Sequence, residues 1–233
     1  MRSMRGGRSA LLAPAVAVLL IIAAQGFGDP VSIEIKATDF AALGGNSGSL
    51  MSVTDTYNYN DVFTGTVTSE AFQLTSGDYA GDYVYLYQAD NDGPSVLENL
   101  GISPIHTIST DGNGKAEAGY LTANLPAAFL TGGGTPLWMT YDAGIPTPLV
   151  SCNYPGGAGS HVPAGDHTVV IYLVSPHEPT VGEIYVIDSG VAAVKAVVPV
   201  PEPLAAGLLI LGSVLTVLRR RRIISTQKTE VGA

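Results

Sequence analysis

The side chains best suited to chemistry are scattered along this chain. Cys152 is its one cysteine, so an intramolecular disulfide is impossible and the fold must rest on core burial. A catalytic thiol needs a base beside it, and His161 and His167 follow closely. Their setting, SCNYPGGAGSHVPAGDH, reads as a Gly/Pro-rich loop without a nucleophile motif, so the thiol is expected to be inert and packed. The histidines, His106, His161, His167 and His177, form no His-Glu-x-x-His and no His-x-His pair; spacing therefore offers no zinc site. Asp90-Asn91-Asp92-Gly93 and Asp111-Gly112-Asn113-Gly114 resemble pieces of calcium loops. An EF-hand loop needs a bidentate acid at its twelfth position, where these runs place Gly101 and Thr122. Both clusters read as tight turns. There is no Gly-x-Ser-x-Gly elbow and no phosphate-cradling glycine loop before a helix. The sequence thus gives no catalytic residue, no metal-ligand set and no cofactor, although its acidity leaves room for a weak surface calcium site.

Aromatic side chains supply the remaining candidates. In Tyr83-Val84-Tyr85-Leu86-Tyr87 the tyrosines alternate with aliphatics. Period two puts Tyr83, Tyr85 and Tyr87 on one strand face and Val84 and Leu86 on the other. Aromatic rings can stack on sugar faces, which makes these three tyrosines and Trp138 candidate glycan contacts. Two apolar-rich faces favour instead a central strand covered on both sides.

Charge is distributed unevenly. Of 11 Lys and Arg in 233 residues, Arg2, Arg5, Arg8, Arg219, Arg220, Arg221, Arg222 and Lys228 lie near the two ends. Residues 27–203 keep only Lys36, Lys115 and Lys195 against nineteen acids, a net charge of −16. Binding phosphates requires Lys and Arg, so nucleic acid is excluded as a partner of this segment. High net charge of one sign favours solubility and dispersal.

The elements that would carry these residues read as β throughout. Short β-rich runs fall at residues 31–37, 50–57, 62–68, 82–89, 115–122, 137–141, 168–174, 183–187 and 191–197. Turn residues separate them, among them Gly44-Gly45-Asn46 and Ser76-Gly77-Asp78. Many short strands so punctuated predict an all-β fold, a β-sandwich of Ig-like or jelly-roll-like type; a barrel is the alternative. No internal repeat marks a solenoid.

Both ends read as targeting segments. Residues 1–26 combine three arginines, an apolar run at 10–24 and small residues at Ala24 and Gly26. This is the pattern of a secretory signal helix cut after Gly26. Residues 27–197 are then one exported domain. Residues 198–222 place Pro201-Glu202-Pro203 before an uncharged run at 204–218, which ends in Arg219, Arg220, Arg221 and Arg222. As a helix that run would be about 22 Å long, short of the ~20 residues that usually span a bilayer. Snorkelling arginines and local thinning accommodate it. The arginines would face the cytoplasm, with residues 223–233 as a cytoplasmic tail.

The ordered trio of motif, short apolar helix and arginine cluster closely resembles the PEP-CTERM sorting signal of Gram-negative bacteria. The resemblance covers about the last 25–35 residues. It departs in Leu204, where a small polar residue is common, and in the longer tail IISTQKTEVGA. It implies an exosortase-type processing enzyme as partner, passage through the inner membrane with transient anchoring, and delivery to the cell surface or beyond. It also implies a non-enzymatic role linked to exopolysaccharide or biofilm. A label sometimes attached to such tails refers to ice-binding proteins; it describes some cargo and implies no ice binding for this chain. A carbohydrate-binding module is the alternative function, and an exported hydrolase the third.

Overall fold

The computed structural model describes residues 31–45, 48–103, 108–110, 117–142, 149–154, 161–188 and 190–199. They belong to the first of two compact units, Met1–Val200 and Pro201–Ala233. The expected signal helix, the expected transmembrane helix over 204–218, Pro201, Glu202, Pro203, and Arg219, Arg220, Arg221 and Arg222 all lie outside the described residues.

Among the described residues the fold is all-β, without helix, in two sheets. One sheet has six strands: β1 (Val31–Ile33), β8 (Trp138–Asp142), β9 (Leu149–Asn153), β6 (Asn99–Ile102), β12 (Pro179–Ile187) and β13 (Val191–Pro199), in that spatial order. All its neighbours are antiparallel. The other sheet runs β2 (Lys36–Asp39), β7 (Ala118–Ala123), β11 (Val170–Ser175), β5 (Tyr83–Asn91), β4 (Phe63–Gln73) and β3 (Met51–Tyr59), with short β10 (Asp166–His167) also on β5. Only β2 and β7 run parallel there. One core cluster draws on both sheets, from Val67, Tyr85, Tyr87 and Ile171 of one to Leu100, Met139, Val150 and Ile184 of the other. The sheets therefore pack face to face, as in a sandwich.

Strand β5 is an inner strand, and its alternation decides its packing. Tyr85 and Tyr87 are fully buried between the sheets. Val84 and Leu86 point the other way, into a second cluster with Phe40, Leu43, Phe72, Phe129 and Tyr172. Chain from the 40–45, 74–79 and 125–129 segments contributes to that cluster, so the outer face of the seven-stranded sheet is covered. The β3–β4 hairpin turns through Asn60 (φ 55°) and Asp61 (φ 59°), two residue types that tolerate left-handed backbone. Asn58 fixes the turn by accepting the Asp61 N–H at 2.9 Å and donating to its carboxylate at 2.7 Å.

Several expectations need correction. The run at 31–37 is not one strand. It contributes β1 to one sheet and β2 to the other, with Glu34 and Ile35 crossing between them. Cys152 is not in a loop: it lies on β9, fully buried in the core. Strand β9 was hidden by the prolines and glycines flanking it, and β6 by its brevity. Strand β13 continues through Pro199, two residues past the boundary drawn from composition. One side of β13 pairs with β12. On the other, the Lys195 N–H donates to Asp55 Oδ2 at 3.0 Å and the Val197 N–H to Ser69 Oγ at 2.9 Å. Side chains thus satisfy edge groups that would otherwise invite another strand.

Candidate functional site

The most concentrated charge chemistry among the described residues surrounds Glu117, just before β7. Acids are depleted in strands, and this one is only 5% exposed. Its Oε2 accepts from Lys36 Nζ at 2.6 Å and from the Tyr79 hydroxyl at 2.8 Å. Its Oε1 accepts from the Tyr172 hydroxyl at 2.9 Å. The parallel β2–β7 pairing puts Lys36 opposite Gly119, and β11 delivers Tyr172 from the other side of β7. Gly119 makes this possible: a Cβ there would meet the Lys36 carbonyl oxygen at 2.1 Å and the Tyr172 ring at 2.9 Å.

Burying an ion pair costs several kcal/mol per ion in desolvation, recovered only when the remaining hydrogen-bonding capacity is used. Here two phenols and an ammonium supply it. Burial and the adjacent Glu117 carboxylate push the Tyr172 hydroxyl far above its ordinary pKa, which keeps it a proton donor. A pocket of about 270 Å³ opens beside the cluster, lined by Lys36, Thr38, Ala42, Leu43, Asp78, Tyr79 and Glu117. Three donors occupy the carboxylate, so it acts as a clamp on β2 and the Tyr79 loop rather than as a free base.

The residues singled out from sequence fall elsewhere. Tyr83, Tyr85 and Tyr87 do share a face, but it is the inner one. Tyr85 and Tyr87 are fully buried and Tyr83 is half-buried at the strand start, so the three form no open platform for a sugar. Trp138 is 43% exposed. Burial pushes the Cys152 thiol well above its ordinary pKa, opposite to what a nucleophile needs. Asp166 and His167 pair with Asn91 and Asp90 through β10. His167 Nδ1 lies 3.5 Å from Asp166 Oδ1. Burial raises the Asp90 carboxyl, while His167 opposes that shift. Asn91 is buried and donates to the carbonyls of Ser95 and Val162 at 2.7 and 2.9 Å, tying the turn inward. Among the described residues no group of three or more His, Cys, Asp or Glu is placed to hold a metal. The turn at 111–114 and His106 lie outside them.

Sequence reasoning missed the Glu117 cluster. One signal was present: Lys36 is one of only three basic residues in the whole of 27–203, and it opens a strand. The fold and site define a two-sheet, all-β protein with a buried glutamate–lysine–tyrosine clamp. No protein-family model, no curated protein and no solved structure matches the chain.

Proposed function

We propose that this chain is an exported, non-enzymatic surface or extracellular-matrix protein, delivered by a PEP-CTERM-type tail and associated with exopolysaccharide or biofilm. The observation that carries the reading is the fixed order of Pro201-Glu202-Pro203, the apolar run 204–218 and Arg219 to Arg222. In this reading residues 1–26 are a signal helix, and residues 204–218 hold the chain in the inner membrane until an exosortase-type enzyme acts near the motif. The exported part is an Ig-like or jelly-roll-like sandwich. Three features support the reading. The segment between the basic ends carries a net charge of −16, suited to an extended hydrated matrix. The last strand among the described residues stops at Pro199, and in the sequence the motif begins at Pro201. The Glu117 carboxylate is fully engaged in holding the fold.

The test is a double substitution, Pro201→Ala with Pro203→Ala, in a host that carries the processing enzyme. The substituted protein should accumulate in the membrane fraction while the original chain leaves it. Equal partitioning of the two would defeat the sorting role of the motif.

A further inference from the structure

Lys36 and Glu117 meet in a setting that favours a covalent bond between them. The parallel pairing of β2 with β7 fixes Lys36 opposite Gly119. The Glu117 backbone is fixed as well. Its N–H donates to the Ser109 carbonyl at 2.7 Å, and its carbonyl accepts the Val174 N–H at 3.0 Å. Both reacting groups are thus held from behind, and Lys36 Nζ rests 2.6 Å from Glu117 Oε2, one bond away from the carboxyl carbon. The Glu117 side chain is only 6% exposed. A carboxylate so placed has lost most of its hydration, and a neutral amide in the same position has far less hydration to lose.

We propose that Lys36 and Glu117 condense into an internal amide, an isopeptide bond that ties β2 to β7. The contacts set the order of events. A proton passes from Nζ to Oε2, giving a neutral amine and a carboxylic acid. The Nζ lone pair attacks Cδ, and an electron pair of the carbonyl bond moves onto Oε1, where the Tyr172 hydroxyl donates at 2.9 Å. Burial and the adjacent carboxylate push that hydroxyl far above its ordinary pKa, so it is a fixed donor to the oxyanion. The Tyr79 hydroxyl, 2.8 Å from Oε2, gives its proton to the departing oxygen and takes one from Nζ in return. The Cδ–Oε2 bond breaks, the carbonyl re-forms at Oε1 and one water leaves. The products are an amide and water, and no oxidant or cofactor takes part. The pocket of about 270 Å³, bordered by Lys36, Thr38, Asp78 and Tyr79, gives that water a way out. Groups oriented in this way reach effective molarities of about 10⁵–10⁸ M, which offsets the bias of bulk water against condensation.

The tie does what the lone cysteine cannot. One cysteine denies the chain an internal disulfide. An amide between residues 81 apart closes a long loop and constrains the unfolded chain as a disulfide would. The inference stands on the contact between β2 and β7 and does not rest on the export reading.

Its test is the denatured mass of the full chain, purified in a non-ionic detergent. The mass should fall one water short of that calculated for its two termini, and a digest should contain a branched peptide joining the Lys36 and Glu117 segments. Lys36→Arg keeps the charge without the amine and should show the calculated mass. Tyr79→Phe should slow the loss of water about a hundredfold, the scale of a lost general acid, in a time course after cell-free synthesis in the same detergent. The calculated mass in the folded original chain overturns the proposal and leaves an ion pair. A water missing from Lys36→Arg also overturns it, by placing the dehydration elsewhere, as in a succinimide at Asp92-Gly93. Water loss as fast in Tyr79→Phe as in the original chain overturns the acid assigned to the step.

Discussion

Alkali should unfold this protein abruptly, because so much of its core is tyrosine. Tyr57, Tyr85, Tyr87, Tyr154 and Tyr172 are at most 2% exposed, and burial raises the pKa of each above the ordinary 10.0. In the folded state these phenols keep protons that the unfolded chain gives up near pH 10. Their contribution is therefore complete below pH 10 and is lost as pH rises beyond it toward the folded-state values. Each costs ~1.4 kcal/mol per pH unit above that point, so five together remove about 7 kcal/mol per unit. A domain stable by about 5–15 kcal/mol should then unfold within roughly two units, near pH 11–12. Cys152, whose thiol is likewise raised by burial from 9.0, pushes in the same direction. Tyrosinate absorbance followed alongside far-ultraviolet circular dichroism checks this. The buried tyrosines should ionise together as the β signal collapses. A single titration of all tyrosines near pH 10 in a folded protein would refute the burial argument.

Tyr172→Phe removes one donor from a buried carboxylate and should cost about 1.5–3 kcal/mol, lowering Tm by roughly 5–10 °C. The cost should shrink in a Glu117→Gln background, and an unshifted Tm would remove the hydrogen bond from the stability account. A chain stopped before β13 loses Ala192, Val194, Ala196, Val197 and Val198 from the core. At roughly 6–8 kcal/mol of lost burial, it should show no cooperative urea transition, whereas a chain stopped after Val200 should keep one. A cooperative transition without β13 would contradict the packing described.

Periodicity made β5 legible. Tyr85 and Tyr87 against Val84 and Leu86 predicted a strand covered on both faces, and both faces are covered. The all-β class was legible for the same reason, since strand runs and turn residues alternate throughout. The split of residues 31–37 was not, because a crossing between sheets leaves no change of pattern in so short a run. Strand β9 was obscured because turn-forming residues on either side outweighed five β-compatible ones. The Glu117 clamp lay beyond sequence reasoning for a different reason. Its partners are 81, 38 and 55 residues away, and only strand pairing brings them together.

The intact mass of the protein recovered from outside the cell tests the central claim most directly. An exported sandwich carrying a sorting tail should begin near Phe27 and end between Pro201 and Leu204, just past the last strand. A mature form that retains the tail through Ala233 would contradict the claim and leave residues 204–218 as a plain anchor.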